Sequence, residues 1–271
     1  KNERSRHTGS FLIPAIFDTM CIAHLGLSAL DRVGEKYLFE MVDDIYFIWG
    51  KRMLQLAQGS FSTKGLDRLE GKEGKFILIY NHKSSFDFML GSLGFARMAI
   101  NDRSMRPRFL VAKDHFKDNH LIYRVFGVGR LCEAIKMIFI ERKNHKMSVQ
   151  NLEAAAKKIA HDDIDIAIYP QGTRSDGNYD RAGKRRDAGY YTTITKRDLT
   201  SPLAHLKKGT AYLVFNALRE LYESKIDQNL NLVFVGIKGA GTTLPKGRFK
   251  VQTENEIEFS EHAAVPVMNP F

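Results

Sequence analysis

The chain has 271 residues, 44% hydrophobic and 27% charged, so it can bury a real core and is neither an intrinsically disordered protein nor a disulfide-stapled miniprotein. Its 41 lysines and arginines outnumber its 31 aspartates and glutamates, which favours anionic partners such as nucleic acid, phosphorylated metabolites or an acidic membrane surface. Cys21 and Cys132 have no spacing typical of a metal or redox site, and this cysteine usage fits a reduced, cytosol-facing compartment.

Residues 1–60 are helical in pattern and rich in large apolar side chains. The most apolar stretch, residues 10–30, contains Pro14, Asp18 and His24, so we expect that it does not span a bilayer. Between residues 35 and 58 apolar side chains recur at the spacing of one helix face. That face either packs on the core or lies in a membrane interface, with basic residues toward lipid phosphates.

Residues 61–271 alternate short apolar runs with helical stretches. Buried strands are predicted at residues 76–80, 108–112, 137–141, 165–169 and 232–237, with helices that begin near Phe86 and that cover residues 148–160 and 206–223. This alternation predicts an α/β domain whose mostly parallel, twisted central sheet is covered by helices. A basic, glycine-bearing insertion at about residues 176–206 interrupts it.

Several familiar sites are absent from the sequence. There is no phosphate-binding P-loop, no complete dinucleotide fingerprint and no Gly-x-Ser-x-Gly elbow for a serine nucleophile. His115 and His120 are five residues apart, which does not suit two zinc ligands on one helix face.

His82 and Asp87 form the first candidate catalytic pair. His82 lies just past a predicted strand, and Asp87 lies in the first turn of the following helix. A turn of that length can fold the carboxylate onto the imidazole, and a histidine held at one ring nitrogen presents the other as an oriented general base. Taken alone, the pair is also explained by Asp87 complementing the helix dipole.

Two further motifs follow predicted strands. Arg142 follows the predicted strand at residues 137–141. The planar guanidinium of an arginine at that position can donate several hydrogen bonds to a phosphate. An ordinary solvated charge at a strand end is an equally good interpretation of Arg142. Gly172, Thr173 and Arg174 follow the strand at residues 165–169 and are typical of an anion cradle or of a tight turn with one exposed arginine. In parallel sheets ligands bind where strands end, so three such motifs together favour one site.

The motifs NHKSSFD at 81–87, IFIER at 138–142, YPQGTRS at 169–175 and LKKGTAYL at 206–213 resemble those of the PlsC-like glycerolipid acyltransferases, the lysophosphatidic acid and glycerol-phosphate acyltransferase superfamily. The resemblance implies transfer of a fatty acyl group from acyl-CoA or acyl carrier protein to a lysophospholipid hydroxyl, with 1-acyl-glycerol-3-phosphate as acceptor and phosphatidic acid as product. It makes His82 the general base, oriented by Asp87. The residues that it assigns to substrate binding are Arg142, Gln171, Gly172, Thr173 and Arg174.

The resemblance implies no metal and no cofactor beyond the acyl-CoA or acyl carrier protein co-substrate. The expected partners are that donor and an anionic membrane surface, not nucleic acid, with residues 1–60 docking the protein on the cytoplasmic face. Gln171 stands where the family usually has glutamate, which bears on the identity of the acceptor. Open alternatives are acylation of glycerol-3-phosphate or another lysolipid, and a basic lipid- or nucleic-acid-binding module without catalysis.

Overall fold

The computed structural model describes residues 3–33, 37–82, 86–101, 105–142, 144–162, 164–170, 208–238, 248–252, 254–259 and 265–268. The α-helices within these residues are α1 Thr8–Val33, α2 Leu38–Ala57, α3 Phe86–Asn101, α4 Lys113–Phe116, α5 Val128–Ala134, α6 His145–His161 and α7 Gly209–Glu223. The strands are β1 Glu3–His7, β2 Ser60–Lys64, β3 Lys75–Tyr80, β4 Pro107–Ala112, β5 Ile138–Ile140, β6 Asp165–Ile168, β7 Leu230–Lys238, β8 Arg248–Gln252, β9 Glu254–Phe259 and β10 Val265–Met268.

The central sheet has the strand order β2-β9-β7-β3-β6-β4-β5, and β10 also pairs with β7. The five strands from β7 to β5 are mutually parallel, while β9 and β10 run antiparallel to β7. A separate antiparallel pair joins β1 to β8. Because the parallel strands point the same way, the residues that follow β3, β4, β5 and β6 meet at one carboxyl edge.

Helices cover both faces of this sheet. Residues of α1, α2, α3 and α5 form one core cluster with side chains that include Phe76, Leu78 and Tyr80 of β3. Ile77, which lies between Phe76 and Leu78 along β3, packs on the other face of the sheet with α6 and α7. Side chains alternate faces along a strand, so β3 is buried on both sides, and each fully buried large apolar side chain stabilises the fold by about 1.5–3 kcal/mol.

The predicted α/β fold with a mostly parallel sheet and a helical N-terminal segment is confirmed. The five predicted strands correspond to β3, β4, β5, β6 and β7, and the predicted helices to α2, α3, α6 and α7. No prediction covered β1, β2, β8, β9 or β10. The segments SFSTK of β2 and ENEIEF of β9 are polar and lack the continuous apolar run of a buried strand. The insertion at 176–206 lies outside the described residues.

The N-terminal helix α1 contains the whole apolar stretch at residues 10–30. Residues 9–33 are long and apolar enough to cross a membrane by length and composition, so the expectation that residues 10–30 do not span stays a prediction. The polar groups within this helix bind neighbouring elements. Asp18 pairs with Arg52 of α2 at 2.6 Å, and Thr19 accepts a 2.9 Å hydrogen bond from the Trp49 indole.

Candidate active site

Asn81 fixes the chain where it leaves β3. Its side-chain amide donates to the carbonyl of Ile237 at 3.0 Å, and its Oδ1 accepts from the Ile237 N–H at 2.6 Å. The side chain therefore extends the β3–β7 pairing beyond the last strand residue. No role was predicted for Asn81, although an amide at a strand end carries both the donor and the acceptor that such pairing needs.

His82 comes next, at the carboxyl edge of the sheet. Its Nδ1 lies 3.0 Å from Oδ2 of Asp87 in the first turn of α3. The carboxylate is buried, with 1% of its side chain exposed, whereas 22% of the imidazole is exposed. The contact that the five-residue spacing predicts is thus present, and it joins a strand end to a helix start.

This arrangement sets the chemistry available to the imidazole. A buried carboxylate accepts a hydrogen bond from the Nδ1–H, which leaves the proton-accepting lone pair on Nε2. The same bond stabilises the imidazolium that forms when Nε2 takes a proton. An imidazole held in this way can accept a proton from a hydroxyl that lies at this edge of the sheet.

Tyr169, the residue after β6, packs beside His82 and Asp87. Its ring centroid lies 4.6 Å from that of His82, and its hydroxyl donates to the carbonyl oxygen of Asp87 at 3.0 Å. Burial and the negative charge of Asp87 hold the pKa of Tyr169 well above its usual value, so the phenol remains a donor. From the sequence, Tyr169 is predicted only as a strand end, with no contact to His82 or Asp87.

Arg142 lies at the same edge, after β5. Its Nη2 donates to both carboxylate oxygens of Asp114 in α4, each at 3.0 Å. Since β6 and β4 separate β3 from β5, the strand ends that carry His82 and Arg142 are about 14 Å apart. No role was predicted for Asp114, although it lies just past β4 and so follows the same strand-end rule that pointed to Arg142.

The other predicted binding residues, Gln171, Gly172, Thr173 and Arg174, lie outside the described residues. Pro170, which precedes them, is buried. Over the described ranges no three His, Cys, Asp or Glu side chains are grouped as they would be around a metal ion.

Asp165 is a second buried carboxylate, at the opposite edge of the sheet. It accepts hydrogen bonds from the backbone N–H groups of Phe76, at 2.8 Å, and of Arg106, at 2.7 Å. Burial raises its pKa to about 6 despite these bonds. A shallow cavity of about 270 Å³ adjoins it, lined in part by Lys75 and Arg106. Because Asp165 ties the starts of β3, β4 and β6 together, its role is structural.

A family model described as Acyltransferase matches residues 60–226, more than half of the sequence. The structure is similar to the crystal structure of the 1-acyl-sn-glycerophosphate (LPA) acyltransferase PlsC from Thermotoga maritima, with a TM-score of 0.59, 15% identity, and coverage of 94% of this chain and 83% of that chain. No curated protein sequence matched. The resemblance predicted from the four motifs is confirmed at the level of family and fold.

Proposed function

The chain belongs to the acyltransferase family, and from this premise we propose that it transfers a fatty acyl group from acyl-CoA or acyl carrier protein to a lysophospholipid, with 1-acyl-glycerol-3-phosphate as acceptor and phosphatidic acid as product. The observation that carries this proposal is the 3.0 Å contact between His82 and buried Asp87 at the carboxyl edge of the sheet. The similar Thermotoga protein is described as an LPA acyltransferase, which supports the choice of acceptor.

In the proposed reaction His82 moves one proton twice. Its Nε2 takes the proton of the acceptor hydroxyl as that oxygen attacks the thioester carbonyl carbon, and Asp87 stabilises the resulting imidazolium. The tetrahedral intermediate then collapses, the carbon–sulfur bond breaks, and the imidazolium returns the proton to the leaving thiolate. The products are the ester and free thiol. Holding both substrates at one edge makes the attack effectively unimolecular.

Arg142 is proposed to bind the acceptor phosphate. Asp114 holds the guanidinium through Nη2, and a guanidinium has five N–H donors, so the group can be positioned by a carboxylate and still bind a phosphate. Asp114 follows β4, which lies between β5 and the strands nearer His82, so this bond draws the guanidinium toward the histidine. Gln171, Gly172, Thr173 and Arg174 are proposed to complete the phosphate site.

Membrane docking is proposed for the N-terminal helices. On α1, Ile13, Phe17 and Leu25 are between 64% and 73% exposed, and Ile48 of α2 is 57% exposed. Apolar side chains this exposed on two adjacent helices suit burial among lipid acyl chains, and Lys51 and Arg52, which line one groove with Ile48, suit anionic headgroups. A lysophospholipid acceptor resides in a membrane, so we propose that the protein works on the cytoplasmic face of one.

The test is thiol release from palmitoyl-CoA in detergent micelles, with lysophosphatidic acid, glycerol-3-phosphate and lysophosphatidylcholine compared as acceptors. We expect turnover with lysophosphatidic acid that is abolished in His82→Ala and kept in His161→Ala, a matched change at the opposite edge of the sheet. Turnover with another acceptor would correct the substrate. If acyl-CoA and acyl carrier protein donors both gave no acceptor-dependent release, the proposal of catalysis would fail in favour of a lipid-binding module.

A further inference from the structure

Tyr169 joins the three elements that build the candidate active site. It follows β6, its ring lies 4.6 Å from His82 at the end of β3, and its hydroxyl bonds to Asp87 in α3. We propose that Tyr169 is a positioning residue, which holds His82 and Asp87 in the geometry needed for proton transfer. This inference rests on the proposed acyl transfer, but it also makes a structural claim that is testable without turnover.

The hydroxyl fixes the start of α3. It donates to the carbonyl oxygen of Asp87 at 3.0 Å, so it restrains the backbone of the turn whose side chain binds His82. The α3 helix leaves room for this bond at Gly91, where an added Cβ would lie 2.8 Å from the Tyr169 hydroxyl oxygen. A side chain at that position would push the phenol away from Asp87.

The ring restrains the imidazole. It meets His82 at an angle of 36°, and its other neighbours are Phe109, stacked at 5.8 Å and 11°, and Tyr80, at 5.6 Å. The buried rings of Phe109 and Tyr80 support Tyr169 on its side away from His82, so the Tyr169 ring restricts the orientations that the imidazole can adopt. The electron-rich ring face also favours the positive imidazolium that forms during the reaction.

Two substitutions separate the hydroxyl from the ring. We expect Tyr169→Phe to lower kcat about tenfold, the effect of losing one hydrogen bond, and Tyr169→Leu to lower it about 100-fold. The acceptor KM should change less than twofold in both, since Tyr169 positions the base and does not bind the acceptor. Tyr212→Phe is the matched control, because its hydroxyl donates to Glu153 on the surface of α7 and α6. Wild-type kcat in both Tyr169 variants would overturn the inference.

Gly91 gives an independent test of the hydroxyl bond. In the wild-type background Gly91→Ala should lower kcat, because its Cβ displaces the phenol oxygen. In the Tyr169→Phe background the same change should lower kcat by less than a further twofold, because the oxygen that the Cβ would displace is absent. The contact of the added Cβ with Phe109, at 3.3 Å, is common to both backgrounds and so does not account for the difference. Equal losses in the two backgrounds would contradict the proposal.

A spectroscopic readout separates this inference from the proposed function. The His82 Nδ1 proton, assigned in the ¹H NMR spectrum by its loss in His82→Ala, should be visible in the wild type and exchange with water faster in Tyr169→Leu. Faster exchange would support the positioning role even if no acceptor were turned over. An unchanged signal in Tyr169→Leu would overturn the positioning role even if acyl transfer were demonstrated.

Discussion

The side chain of Asn81 and the main chain of Ile237 form two hydrogen bonds, although 156 residues separate them in the sequence. They close the carboxyl end of the β3–β7 pair immediately before His82. At the amino end of the same pair, Asn231 donates to the carbonyl oxygens of Glu73 and Lys75. Asparagine side chains therefore form hydrogen bonds at both ends of the β3–β7 pair, and of these two asparagines only Asn81 lies next to the candidate base His82.

Replacing these two asparagines should separate stability from activity. Asn81→Ala and Asn231→Ala should each lower the free energy of unfolding by about 1–3 kcal/mol, because each leaves backbone groups without their partner. Asn81→Ala should in addition lower kcat, since it removes the hydrogen bonds that hold the backbone between the end of β3 and His82. The measurement pairs urea denaturation with steady-state kinetics at a temperature where both variants remain folded. Equal activity in the two variants would contradict a role for Asn81 in placing His82.

Asp87→Asn tests the charge of the carboxylate at nearly constant shape. The amide oxygen can still accept from Nδ1, but the negative charge that stabilises the imidazolium is lost. We expect kcat to fall by about 10²–10⁴-fold, the usual range for general acid–base catalysis. Because His82 and Asp87 act as one unit, the double variant with His82→Ala should be no slower than His82→Ala alone. Independent, multiplying losses in the double variant would show that Asp87 acts apart from His82.

Arg142 and Asp114 should act on acceptor binding. Arg142→Ala should raise the KM for a phosphate-bearing acceptor about tenfold or more, while Asp114→Ala, which releases the guanidinium from its 3.0 Å contacts, should raise it about two- to fivefold. Arg219→Ala removes an equal charge from α7 beside Glu223 and serves as the control for general electrostatics. An unchanged KM in Arg142→Ala would remove this residue from the phosphate site.

Asp165 should make stability depend on pH. Burial raises its pKa from the ordinary value of 3.8 to about 6, so its neutral form is favoured in the folded state. That contribution is present in full below about pH 4 and is lost as pH rises through 6, because above that pH folding must bury an ionised carboxylate. We expect the wild type to lose about 1–3 kcal/mol between pH 4.5 and pH 7.5 relative to Asp165→Asn, measured by urea denaturation. Parallel pH curves would show that Asp165 does not titrate in this range.

The sequence predicted the parts of this molecule that are local. Strands buried on both faces, such as Phe76–Tyr80 within β3, are continuous apolar runs, and His82 and Asp87 lie five residues apart across one turn. The contacts that complete the site join distant residues: 82 positions separate Asp87 from Tyr169, and 28 separate Asp114 from Arg142. Periodicity and spacing carry no information on such pairs, because the order of strands in the sheet brings them together.

Phe17 and Phe215 allow a matched test of membrane docking. Their side chains are 64% and 62% exposed, but Phe17 lies on α1 among other exposed apolar residues whereas Phe215 lies on α7. Placing a charge among lipid acyl chains is unfavourable, so Phe17→Glu should weaken binding to vesicles that contain phosphatidylserine, and Phe215→Glu should not. Co-sedimentation at low and high salt measures this, since headgroup attraction to Lys51 and Arg52 is screened by salt while apolar insertion is not. Equal binding by both variants would mean that α1 does not dock the protein, and a loss confined to Phe215→Glu would move the docking surface to α7.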